Sequence, residues 1–139
     1  MGFTVIELLI AMLILGTLAS MALPKLQHAI EKARVAKAIG DLKALSSDIG
    51  SMDPLPNSLA DAGRGGMLDP WGTPYQYVLL NGDVGAARKD KFLVPLNSDF
   101  DLYSMGPDGV SALALTAAPS KDDIIRANDG GYVGPASSY

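Results

Sequence analysis

Residues 3–24, FTVIELLIAMLILGTLASMALP, form an apolar run that contains one charge, Glu7. About 20 apolar residues in a helix rising about 1.5 Å each cross the hydrocarbon core of a bilayer, so the run is long enough to span one. A carboxylate at the centre of such a helix costs roughly 3 kcal/mol, which marks Glu7 as a functional residue in need of a partner. A buried core helix of a soluble domain does not suit the run, because the rest of a 139-residue chain could hardly enclose it on all sides. Two further readings compete. A secretory signal peptide cut at Ser20-Met21-Ala22 would lack a basic n-region and carry an acid, and a plain one-pass anchor leaves Glu7 unexplained.

Size and composition limit the remainder to one small domain. The chain has no cysteine, which excludes disulfide staples, thiolate metal sites and a cysteine nucleophile. Its only histidine, His28, sits among lysines and reads as a surface residue; multi-histidine zinc sites are excluded and a Ser-His-Asp arrangement is disfavoured. A formal net charge of −4 gives no general basic footprint, so nucleic acid is not an expected partner.

After Pro24 the apolar residues Leu26, Ile30, Ala33, Ala36, Ile39, Leu42, Leu45 and Ile49 recur at steps of three and four among charged neighbours, predicting an amphipathic helix over 25–50. Gly50-Ser51 and Asp53-Pro54 stop it. The two helical stretches are expected to form one rod, with a kink or melted turn between Gly16 and Pro24, because Pro24 removes a backbone donor and crowds the preceding turn. Residues 51–74 read as an ordered loop, and Gly63-Arg64-Gly65-Gly66 within it lacks the Lys-Ser/Thr ending of a phosphate loop. Short β-type runs follow at Tyr75–Leu80, Lys91–Pro95 and Phe100–Ser104, with Asn81-Gly82-Asp83 as a hairpin-type turn. Alternation in the last run places Phe100, Leu102 and Ser104 on one face and Asp101 and Tyr103 on the other. Trp71, in a Pro-Trp-Gly turn, reads as a core plug. The expected fold class is α+β: a long helix, membrane-spanning then amphipathic, packed on a small antiparallel sheet, with a long C-terminal loop over 105–139.

That loop contains Asp108, in Gly-Pro-Asp-Gly, and Asp122-Asp123. Calcium takes six to eight oxygens, so two or three aspartates gathered by a loop, with carbonyls completing the shell, would suit it. Alternatively, Asp108-Gly109 is simply a turn, and Asp122-Asp123 begins a helical turn.

The N-terminal residues resemble the class III signal sequences shared by type IV pilins and the pseudopilins of type II secretion. Gly2 matches the residue after which the family's dedicated peptidase cuts, Phe3 the aromatic whose new amine is methylated, and Glu7 the family's glutamate. Gly16 and Pro24 match its helix-loosening glycine and kinking proline. Only Met1 and Gly2 precede the cut, where family leaders carry a few basic residues. The segments LDPWGTPYQY (68–77) and FDLYSMGPDG (100–109) look like the globular domain of the major pseudopilins of type II secretion.

The resemblance implies a leader remnant (1–2), a membrane and filament-core helix (3–24) and a periplasmic domain (25–139) made of helix 25–50, loop 51–74, sheet 75–104 and loop 105–139. It also implies calcium in the loop of Asp108, Asp122 and Asp123. The expected partners are further copies in a helical filament, the prepilin peptidase, an inner-membrane assembly platform and minor pseudopilins, with the inner membrane holding the subunit before assembly. The expected role is structural rather than catalytic: protein export through a short filament, or alternatively a type IV pilus. In the membrane Glu7 would stand unpaired, and in the filament it would meet the Phe3 amine of an adjacent subunit.

Overall fold

The computed structural model describes residues 1–139. Helix α1 runs Val5–Gly50, and four strands follow: β1 (Gln76–Leu79), β2 (Phe100–Ser104), β3 (Ile124–Ala127) and β4 (Tyr132–Pro135). The chain divides into two compact units, Met1–Ala33 and Arg34–Tyr139.

The first unit is the apolar part of α1. It is long and apolar enough to cross a membrane: an 18-residue window has a mean hydropathy of 2.2, and none of it is buried within the chain. The helix continues through Gly16 and Pro24, so the melted turn expected there is absent. Pro24 removes one intrahelical bond, and the Met, Ala, Leu and Lys around it are strong helix formers.

In the second unit, Arg34–Gly50 of α1 buries Ala38, Leu42, Leu45 and Ile49, with Val35 and Ile39 half-buried against the same core. The spacing of three and four is the one expected, but the stripe starts later. Leu26, Ile30, Ala33 and Ala36 are exposed, and Val35 and Ala38 occupy the contact instead. The helix ends at Gly50, as the stop signals predict.

The strands form one antiparallel sheet in the order β1-β2-β3-β4. Both faces are covered, and the period of two sorts the residues between them. Phe100 and Leu102 of β2 and Ile124 of β3 join Tyr75 and the helix stripe in one core. Ile125 and Ala127 face the other way, into a core with Leu96, Leu115 and Ala136, against which Tyr103 and Tyr132 pack. Trp71 packs half-buried against the helix-side core, as a plug.

Three expectations are corrected. First, β3 and β4 lie within 105–139, so the segment expected to be a loop supplies half the sheet. Second, Lys91–Pro95 is a turn: Asp90 Oδ1 accepts N–H bonds from Phe92 (2.8 Å) and Val94 (2.9 Å), drawing the chain around Leu93 at φ 62°. Local capture by an aspartate outcompetes the β propensity of Phe-Leu-Val. Third, Asn81-Gly82 does turn, at φ 43° and 82° with Asp83 N–H bonded to Leu80 O at 2.6 Å. It closes no two-residue hairpin, however, because β1 pairs with Phe100–Tyr103 only after the long excursion through residues 81–99.

Candidate functional site

The first candidate site is the start of α1. Thr4 precedes the first helical residue, and Glu7 stands three residues later. Glu7 Oε2 accepts the Thr4 backbone N–H at 2.7 Å and the Thr4 hydroxyl at 2.8 Å, while Thr4 Oγ1 accepts the Glu7 N–H at 3.3 Å. This is a reciprocal capping box, which satisfies donors that a helix start otherwise leaves open. The negative charge also sits at the favourable end of the helix dipole. The carboxylate thus has a hydrogen-bonding partner within its own chain. Both carboxylate contacts use Oε2, which leaves Oε1 for another donor. Thr-x-x-Glu was the sequence signal for this pairing. Gly2 and Phe3 lie exposed directly before the cap.

The second candidate is the acidic loop. Asp108 Oδ1 accepts the Val110 N–H (2.8 Å), and Asp122 Oδ2 accepts the Asp108 N–H (3.2 Å). These two aspartates meet near the surface. Gly106 fits beneath them at φ +65°, where a Cβ would come within 2.4 Å of Asp122 O, so the turn requires glycine there.

Asp123 instead points inward and is fully buried. Its Oδ2 accepts bonds from Arg88 Nη2 at 2.6 Å and from the Ser111 hydroxyl at 2.5 Å. Arg88 Nη1 donates to Ser111 Oγ at 2.7 Å, and the guanidinium lies 4.0 Å from the centre of the Tyr103 ring. The backbone N–H of Arg88 donates to the buried Asp101, which also accepts from Asn97 Nδ2. Burial pushes the Asp123 carboxyl up, against the opposing pull of Ser111 and Arg88. Asp123 thus turns away from Asp108 and Asp122, and the three carboxylates do not gather into one cluster of ligands. Calcium needs six to eight oxygens, and beside Asp123 a guanidinium stands where more oxygens would have to come. The donor set at Asp123 does not fit calcium.

Two further ties organise the domain, and neither was read from sequence. Arg126 of β3 makes a two-pronged pair with Asp99 (2.7 Å for each bond), donates to Ser46 of α1 and to Phe100 O, and stacks 3.9 Å over the Phe100 ring. Burial pushes the Asp99 carboxyl up, but the Arg126 and Phe100 N–H bonds outweigh this and hold it below the usual carboxylate range. Asp69, in the Leu-Asp-Pro-Trp-Gly-Thr segment, accepts N–H bonds from Trp71 and Thr73 and the Ser104 hydroxyl, pinning that turn to β2. An arginine inside an apolar strand run, Ile-Ile-Arg-Ala, was the available signal for Arg126. Arg88 has no local signal, because its partner is 35 residues away.

The chain is 31% identical over 134 residues to the type II secretion system core protein G of Pseudomonas aeruginosa, covering 78% of this chain and 84% of that one. It is 33% identical to the protein of the same name from Aeromonas hydrophila (78% and 83% covered) and 32% identical to that of Escherichia coli K12 (78% and 82%). No family model and no solved structure matches the chain.

Proposed function

Because the chain belongs to the family of type II secretion system core protein G, we propose that it is the major pseudopilin of such a system, a structural subunit that polymerises into a helical filament for protein export. Before assembly the subunit is held in the inner membrane by residues 3–24, with the domain on the periplasmic side. The prepilin peptidase cuts after Gly2 and methylates the Phe3 amine. The inner-membrane assembly platform and minor pseudopilins then draw the subunit into the filament, whose interior is a bundle of apolar helices. Gly16 and Pro24 are the positions at which α1 would bend or loosen during that packing.

The observation that carries this reading is the capped carboxylate on a fully exposed apolar helix. Exposed apolar surface of this length needs lipid or other helices around it. The cap lowers the cost of holding Glu7 in the membrane, and the free Oε1 can take the Phe3 amine of an adjacent subunit. Removing one partner of a charge pair taken out of water typically costs about 3 to 5 kcal/mol, enough to set the axial register.

The test is to express the chain with a prepilin peptidase and an assembly platform. Mass spectrometry should find a mature chain that starts at a methylated Phe3, and electron microscopy should find filaments. Uncut monomer that stays in the membrane despite an active peptidase would overturn the reading.

A further inference from the structure

We propose that the Arg88 guanidinium permanently fills the cationic place between the 81–99 excursion and the Asp123 loop, so that the domain folds and keeps its stability without a divalent cation. The Arg88–Asp123 pair joins segments 35 residues apart, and both side chains are nearly inaccessible, at 3% and 0% exposure. A fully buried carboxylate needs compensation: Arg88 supplies the opposite charge, and Arg88 and Ser111 both donate to Oδ2 of Asp123. The face of the guanidinium rests on Tyr103, which adds a cation–π contact in a dry setting. Two atoms of the pair lack hydrogen-bond partners, Nε of Arg88 and Oδ1 of Asp123. Oδ1 is the one acceptor left over at the pair, far short of the six to eight oxygens that calcium takes.

A dication next to Asp123 would stand close to the fixed positive charge of Arg88 and be repelled by it. Each outer aspartate serves the loop through one carboxylate oxygen. Asp108 and Asp122 accept backbone N–H bonds that shape the Gly106–Val110 turn, and so stabilise the loop without a metal. In this arrangement an arginine performs, within the chain, the joining that a bound cation would perform from outside. Its charge does not depend on the calcium concentration of the medium. The inference concerns the stability of the domain and stands or falls independently of filament formation.

Thermal unfolding of the full chain in detergent, followed by the fluorescence of its single tryptophan, tests it. The midpoint should be the same, within about 1 °C, in a calcium chelator and in millimolar calcium, because a ligand that does not bind the native state cannot shift it. Asp108→Asn and Asp122→Asn should leave that indifference unchanged. Arg88→Met should lower the midpoint by about 10 °C or more, since it strands a buried carboxylate. Arg88→Met combined with Asp123→Leu, which removes both charges, should recover most of that loss. A clear rise in the wild-type midpoint with calcium, abolished by Asp123→Asn, would overturn the proposal. A drop for Arg88→Met that the double substitution does not recover would overturn the charge-compensation argument.

Discussion

The two units of the chain treat charge in opposite ways. In Arg34–Tyr139 the key ions are spent internally: Arg88 on Asp123 and Ser111, and Arg126 on Asp99, Ser46 and a backbone carbonyl. In Met1–Ala33 the single carboxylate of the apolar stretch is held by its neighbour Thr4 through one oxygen and remains exposed. Buried pairs of the first kind hold one conformation, because breaking either partner leaves a charge without compensation. A locally capped, exposed carboxylate of the second kind is stable alone and still able to bind. On the proposed function, the domain is held by its own ion pairs and the helix start is the part that meets a neighbour.

Substitutions can break this contrast in graded ways. The largest effect is expected at Arg126. Arg126→Ala leaves Asp99 and Ser46 without their donor and removes the stack on Phe100, and should destabilise the domain by about 3 to 5 kcal/mol in urea unfolding. Asp99→Asn should cost less, about 1 to 2 kcal/mol, because the amide oxygen still accepts from Arg126, which also keeps its bonds to Phe100 O and Ser46.

That cost should depend on pH with a definite sign. The folded Asp99 titrates below its unfolded value of about 3.9, so its contribution is fully present above that value and is lost as the pH falls through the folded pKa. The gap between wild type and Asp99→Asn should therefore be constant from about pH 7 to 5 and close below about pH 4. A gap that widens in acid would contradict the assignment.

Thr4→Val, which removes the hydroxyl side of the cap, should cost about 1 kcal/mol, confined to the first turn of α1. Faster amide exchange at Ile6 and Glu7 in micelles, with an unchanged tryptophan melt, would report it. The smallest effect is expected for Lys37→Ala. Lys37 is largely exposed and pairs with Asp41 one helical turn away; Asp41 keeps the Tyr75 hydroxyl when Lys37 is removed, so the change should stay within about 0.5 kcal/mol.

The contrast also explains what the sequence could and could not disclose. The membrane run, the helix stop at Gly50 and the face assignment of Phe100 and Leu102 were legible, because each depends on local composition or a short period. Thr4-x-x-Glu7 is equally local, a capping-box pattern at the head of an apolar run. Strands β3 and β4 escaped because each is four residues long and β3 is buried on both faces, so Ile-Ile-Arg-Ala shows no polar alternation. Lys91–Pro95 misled because β propensity carries no information about the Asp90 carboxylate waiting to turn the chain. For Asp108, Asp122 and Asp123, residue type suggested a shared cation. The surroundings of Asp123 are set by Arg88, a residue whose proximity only the fold creates.

The most direct measurement is on Glu7→Ala, with two readings from one preparation: filament yield by electron microscopy in cells carrying the assembly machinery, and the tryptophan melt of the purified subunit. Filaments should fall at least about tenfold, since losing one charge pair exceeds 1.4 kcal/mol, while the melt stays at the wild-type midpoint. Filaments at wild-type yield, or a domain that melts early, would contradict the division between a self-sufficient domain and a helix start reserved for assembly.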